Sequence, residues 1–201
     1  MLRSLVFVSL CFILCGCGAK VSFDLKYDNL AKELSDYGVG ETAFDANDPL
    51  LEKRTIFICG GFNISLAQTV CRQLVYLDSE SKTEPIKLLI NSPGGDGTAY
   101  LSITNMINSI SAPVDTINIG FCGSAAAMLI QSATGKRYAV KDTAFMIHDT
   151  KGSPKDLSDM YSKLQEGIYR SCCELPDDWL PLKDGEYVFS AEDAKTYKFV
   201  D

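Results

Sequence analysis

A serine stands among the smallest side chains of the chain, in Gly120-Phe121-Cys122-Gly123-Ser124-Ala125-Ala126-Ala127. The single histidine, His148, follows it, and a Pro93-Gly94-Gly95 turn precedes it. Hydrolysing an amide needs a nucleophile, a base to take its proton, a group that orients the base, and donors for the oxyanion. Small neighbours let another backbone come close to the Ser124 hydroxyl. A serine at the first turn of a helix also faces unpaired N–H groups. Two glycines after a strand let backbone N–H groups point at a ligand. Each feature alone also reads as plain structure: a close-packed turn, a satisfied histidine, a Pro-Gly turn.

The elements that would position these residues can be read from periodicity. Arg54–Cys59 is a β-branched strand ended by Gly60-Gly61, and Ser65–Leu77 is a helix with Leu66, Val70, Leu74 and Leu77 on one face. Ile86–Ile90 is a second buried strand running into Asn91-Ser92-Pro93-Gly94-Gly95, and a helix from Thr98 to Ile110 follows. Val114–Ile119 leads into the Ser124 turn, and a helix leaves it and ends at Gly135. Two short strands, Tyr138–Val140 and Ala144–Ile147, deliver His148. This alternation predicts an α/β fold, a parallel-type sheet wrapped by crossover helices, with Ser124 and His148 at strand ends that form a crevice.

Beyond Gly152, Ser153-Pro154-Lys155-Asp156 is a helix start, and Leu157, Met160, Tyr161, Leu164 and Ile168 mark an apolar face down to about Arg170. Residues 175–185 read as irregular. Val188-Phe189, a helix from Ser190 to Tyr197, and Phe199-Val200 close the chain.

Ile90-Asn91-Ser92-Pro93-Gly94-Gly95, Gly120-x-x-x-Ser124-Ala125, Gly135-Lys136-Arg137-Tyr138 and Met146-Ile147-His148 occur in that order. Together with Ser190-Ala191-Glu192-Asp193-Ala194 and the final Val200-Asp201, they resemble the Clp protease proteolytic-subunit family, ClpP-like serine peptidases. The resemblance implies a crotonase-like α/β fold, a Ser-His-acid peptidase and rings of subunits. It puts Ser124 at the nucleophile and His148 at the base. Gly95 and Ala125 take the positions whose N–H groups form the oxyanion hole, and Pro93 and Gly94 belong to the loop that pairs with a substrate strand. Counting back from Ser190-Ala191, the acid position holds Glu186, where the family has an aspartate; Asp184 is the rival.

Other departures bear on partners. The handle region, about 153–185, is shorter than the family's usual one, which weakens the expectation of stacked double rings while leaving a homo-oligomer or single ring open. Lys87 and Leu89 stand where relatives carry surface tyrosines, which weakens docking to a Clp ATPase. The substrates implied are peptides or unfolded segments, cleaved without an ATPase. No cofactor and no metal are called for. Two other classes stay open: a catalytically silent structural or adaptor subunit, and an acyl-CoA enzyme of the same broad fold. A Ser-Lys peptidase using Lys136 or Lys141 is a further variant.

The chain of 201 residues carries a net charge of −7, so it offers no basic footprint for nucleic acid. Residues 1–17 read as a signal peptide. Arg3 precedes an apolar run too short to span a membrane, and Leu14-Cys15-Gly16-Cys17 resembles a lipobox with Cys17 as the lipidated residue. Residues 18–50 are a polar spacer with one short helix at Asn29–Tyr37, and 51–201 form the peptidase-like domain. The expected location is the bacterial cell envelope, anchored by lipid and facing the periplasm or exterior; the cytoplasm is the alternative. Of the eight cysteines, Cys59 and Cys122 read as buried small hydrophobes on core strands. None of the cysteines has metal-ligand spacing.

Overall fold

The computed structural model describes residues 48–150, 155–180, 182 and 185–201. The lipobox with Cys17, the spacer helix, the Ser153-Pro154 helix start and the rival acid Asp184 lie outside the described residues.

The chain order begins α1 (Pro49–Glu52), β1 (Thr55–Cys59), α2 (Ile64–Glu80), β2 (Ile86–Ser92), α3 (Gly97–Ser109) and β3 (Val114–Gly123). It continues with α4 (Ala125–Gln131), β4 (Arg137–Ala139), β5 (Ala144–His148), α5 (Lys155–Cys172), a 3-10 turn (Asp177–Trp179), β6 (Glu186–Ser190) and α6 (Ala191–Thr196). One sheet runs β1-β2-β3-β5-β6, with β4 also paired to β3. Every pair is parallel except β5–β6. The expected parallel-type sheet is therefore a mixed one, and the exception matters, because β6 runs back against the strand that ends in His148. Alternate residues of the strands face the core: Ile56 and Ile58 on β1, Leu88 and Ile90 on β2, and Val114 on β3 are all buried.

Strand β3 carries the site. Its first half pairs with β4 at Thr116–Asn118, and its second half pairs with β5 at Phe121–Gly123. On its other edge the β2 register slips between Ile90 and Ser92, where the Asn91 side chain accepts the Phe121 N–H at 3.1 Å. This irregularity re-aims the two strand ends that bear Gly94-Gly95 and Ser124.

Two expectations about burial are corrected. Cys122 is buried, but Cys59 is exposed. The alternation along β1 sends Ile56 and Ile58 into the core and leaves Phe57 and Cys59 facing out. On α5 the buried row is Tyr161, Gln165 and Tyr169, at i, i+4, i+8, while Met160 (47 % exposed) and Leu164 (37 %) face away from the core. Of the face read from Leu157, Met160, Tyr161, Leu164 and Ile168, Tyr161 is buried and Ile168 packs against the core, while Met160 and Leu164 do not; Gln165 and Tyr169 take their place. An aromatic cluster of Phe145, Phe189, Phe199 and Trp179 ties β5, β6 and the C-terminus together, with Phe145 stacked on Phe189 at 5.4 Å. Asp201 closes the end by an ion pair to Arg137 at 2.8 Å.

Candidate active site

The turn between β3 and α4 is strained at one residue. Ser124 holds φ 52° and ψ −121°, a left-handed conformation that β-carbon sterics penalise by about 1–3 kcal/mol. Its N–H donates to the Met146 carbonyl at 2.8 Å, and its carbonyl accepts the Met128 N–H at 3.1 Å. Those two bonds pin the turn to β5 on one side and to α4 on the other. The Ser124 side chain makes no capping bond to its own helix. The turn has the geometry of a nucleophile elbow, a sharp strand-to-helix turn that presents a hydroxyl at the end of a central strand.

Gly94 and Gly95 are glycines for different reasons. At Gly94 (φ 89°) a β-carbon would sit 2.6 Å from the Gly123 carbonyl oxygen and 2.8 Å from the Ala125 nitrogen. The loop therefore lies directly against the Ser124 turn. At Gly95 (φ 142°) a β-carbon would sit 2.6 Å from the Phe62 carbonyl oxygen. The groups flanking Gly95 are tied to Phe62: its N–H donates to Gly94 at 2.7 Å, and its carbonyl accepts from Asp96 at 3.1 Å. That pairing turns the N–H of Gly95 itself away from Phe62, and it donates to no described group. Ala125 is the first residue of α4, where an N–H has no intrahelical acceptor. Among the described residues, these two N–H groups beside Ser124 have no hydrogen-bond acceptor.

His148 ends β5, one strand over from the turn, where Gly123 pairs with Met146. Its Nδ1 is hydrogen-bonded to the carbonyl oxygen of Asp149. Asp149 is itself held: its Oδ1 accepts the Thr150 N–H at 2.8 Å and the Ser162 hydroxyl at 2.6 Å. Glu186 is the register partner of His148 across the antiparallel β5–β6 pair, so the two side chains share a face of the sheet. The Glu186 side chain is exposed.

Gly95, Ser124, Ala125 and His148 line one cleft of about 80 Å³, together with Gly97, Tyr100, Met128, Thr150, Tyr161 and Gln165. Helix α5 forms its far wall. The Tyr161 ring lies against Gly97, whose β-carbon would fall 2.7 Å from the ring. Burial pushes the Tyr161 hydroxyl above its ordinary range, and the Asp96 carboxylate adds to the shift. Asp96 caps α3 by accepting the N–H groups of Thr98 (2.7 Å) and Ala99 (2.9 Å). The Thr98 hydroxyl and these N–H groups hold its carboxyl below the usual range. Among the described residues no cluster of His, Cys, Asp and Glu could hold a metal ion.

Sequence reasoning missed Tyr100, Met128, Tyr161 and Gln165 as cleft walls, and Asp149 and Ser162 as neighbours of the histidine. The i, i+4 spacing of Ser158 and Ser162 on α5 was the available signal for the last contact; nothing in the linear sequence says which face of α5 meets the site.

Among known families, the model described as Clp protease matches residues 38–201, well over half of the chain.

Proposed function

The chain belongs to the Clp protease family, whose members are serine peptidases, and from that premise we propose that it is an endopeptidase acting through Ser124, His148 and an acid. The observation that carries this reading is the shared cleft: the strained Ser124 turn, His148 and two unused N–H groups border one space. In this mechanism His148 Nε2 takes the Ser124 hydroxyl proton as Oγ attacks the substrate carbonyl. The oxyanion lies on the Gly95 and Ala125 N–H groups. His148 then passes its proton to the leaving amine, and a water repeats the sequence to release the acid product.

Glu186 serves as the acid in this reading. Its support is its register with His148, from which a carboxylate favours the imidazolium that forms during attack. The substrates are peptides or unfolded segments that pair with the Pro93-Gly94-Gly95 loop, cleaved without an ATPase by a homo-oligomer. Attachment to a bacterial envelope through a lipid on Cys17 completes the proposal, and a mass measurement of the mature N-terminus checks it.

The central test is labelling of the full chain with a fluorophosphonate, with native mass measured in parallel. Ser124→Ala and His148→Ala abolish labelling, and Glu186→Gln slows it. A folded, assembled wild-type chain that is never labelled would sink the peptidase reading and leave the structural or adaptor one.

A further inference from the structure

The residues that follow His148 are bound to α5 by two serine hydroxyls one turn apart. Ser158 Oγ donates to the Thr150 carbonyl at 3.1 Å, and Ser162 Oγ donates to Asp149 Oδ1 at 2.6 Å. Ser162 has a second acceptor in reach, the Ser158 carbonyl at 3.0 Å, but a hydroxyl has one proton and the shorter contact is to a carboxylate. Asp149 Oδ1 also accepts the Thr150 N–H, so the carboxylate closes a small ring on its own backbone. With the side chain fixed to α5 and the next N–H fixed to the side chain, the Asp149 carbonyl has little freedom. That carbonyl is the group hydrogen-bonded to His148 Nδ1.

A carbonyl only accepts. The ring nitrogen facing it therefore carries the proton, and Nε2 is left with its lone pair. That is the tautomer a base needs to take a proton from Ser124, and a base held in the other tautomer loses most of its activity. We propose that Asp149 and Ser162 are positioning residues for the base: α5, through the Ser162–Asp149 bond, sets the carbonyl that fixes the tautomer and orientation of His148. The inference rests on His148 being the base of the proposed peptidase. Glu186 then supplies charge from across the strand pair, and the Asp149 carbonyl holds the ring.

The test uses the fact that the chain contains one histidine, so its imidazole nitrogens can be read without assignment. Full-length protein labelled with 15N-histidine is compared at a pH where the ring is neutral, alongside the rate of fluorophosphonate labelling of Ser124. The wild type shows a protonated Nδ1 and a bare Nε2. Ser162→Ala and Asp149→Ala, which delete the same bond from opposite sides, shift the ring toward the mixture of a free imidazole. Both slow labelling by about 10- to 100-fold, the scale of a sub-ångström misplacement, while melting within a few degrees of wild type. Ser162→Thr, which keeps the hydroxyl, restores both signals. Glu186→Gln slows labelling without moving the tautomer. The proposal is overturned if either folded alanine variant keeps the wild-type tautomer and rate, or if Ser162→Thr rescues neither. A wild type with a protonated Nδ1 that is never labelled supports the positioning and removes the peptidase reading. A wild type that is labelled with a bare Nδ1 does the reverse.

Discussion

Gly94→Ala is the sharpest single perturbation of the elbow that leaves every chemical group in place. The added β-carbon would stand 2.6 Å from the Gly123 carbonyl oxygen, 2.8 Å from the Ala125 nitrogen and 2.9 Å from the Ser124 β-carbon. Ordinary contact begins near 3.4 Å, so about 0.8 Å of relief is needed, and two of the three obstacles are backbone. The φ of 89° adds a left-handed penalty of about 1–2 kcal/mol, and forced overpacking adds about 1–3 kcal/mol. A total of about 2–5 kcal/mol corresponds to a melting point roughly 5–15 °C lower for a chain of this length. Displacing the Ser124 turn or the Gly95 N–H by most of an ångström should slow fluorophosphonate labelling about 100-fold. Gly61→Ala is the matched control. Its β-carbon meets only the Gly94 carbonyl, at 3.8 Å, and its rate should stay within about twofold of wild type. If Gly94→Ala labels at the wild-type rate, the loop does not sit against the nucleophile and the site geometry is wrong.

Strain at Ser124 makes a second expectation. Ser124→Gly relieves the positive φ and should melt above Ser124→Ala, although neither is labelled; the order reverses if the turn is unstrained. Asp96→Ala loses the α3 cap and about 0.5–2 kcal/mol at neutral pH. Because the Asp96 carboxyl is lowered in the folded state, its contribution is full above the unfolded value of about 3.9 and fades as pH falls through the lower folded value. Urea melts of wild type and variant should therefore converge only at strongly acid pH. Native alkylation at pH 8 should modify Cys59 and Cys172 first. Burial pushes the Cys71 thiol up to about 11 and Cys173 up to about 12, and it shifts the enclosed Cys122 further still, so early modification of Cys122 would contradict the packing.

What could be read from the linear chain was whatever local pattern determines. Val70, Leu74 and Leu77 repeat at helical spacing and are buried on α2, and Ile86–Ile90 reads as a strand because every second residue faces core. Ser124 was legible as a turn because small residues flank it, and the close approach of the Pro93-Gly94 loop to Gly123 and Ala125 is the physical reason for them. The sequence was silent wherever a partner chosen by topology decides the outcome. Phe57 and Cys59 look like core residues, yet β1 is an edge strand and they face out. On α5, Met160 and Leu164 are more apolar than Gln165, but Gln165 is 3 % exposed because its face meets the cleft and Tyr169. The antiparallel return of β6, which sets Glu186 beside His148, has no local signature at all.

The handle helix is thus part of the site rather than an attachment to it. From one face it lays Tyr161 against Gly97, at the start of the helix that follows the Gly95 loop, and it lends Gln165 to the cleft. From the next turns it holds Thr150 and Asp149 through Ser158 and Ser162. The proposed nucleophile is held from elsewhere: Ser124 is bonded to Met146 and Met128 within the sheet and α4. Under the proposed mechanism, loosening α5 should disable His148 while leaving the Ser124 turn intact. Urea titration offers the check: at concentrations where α5 amides exchange but β3 amides do not, labelling should already be lost. If labelling and the global transition coincide while α5 alone opens earlier, His148 does not depend on the helix, and the division of labour between helix and sheet fails.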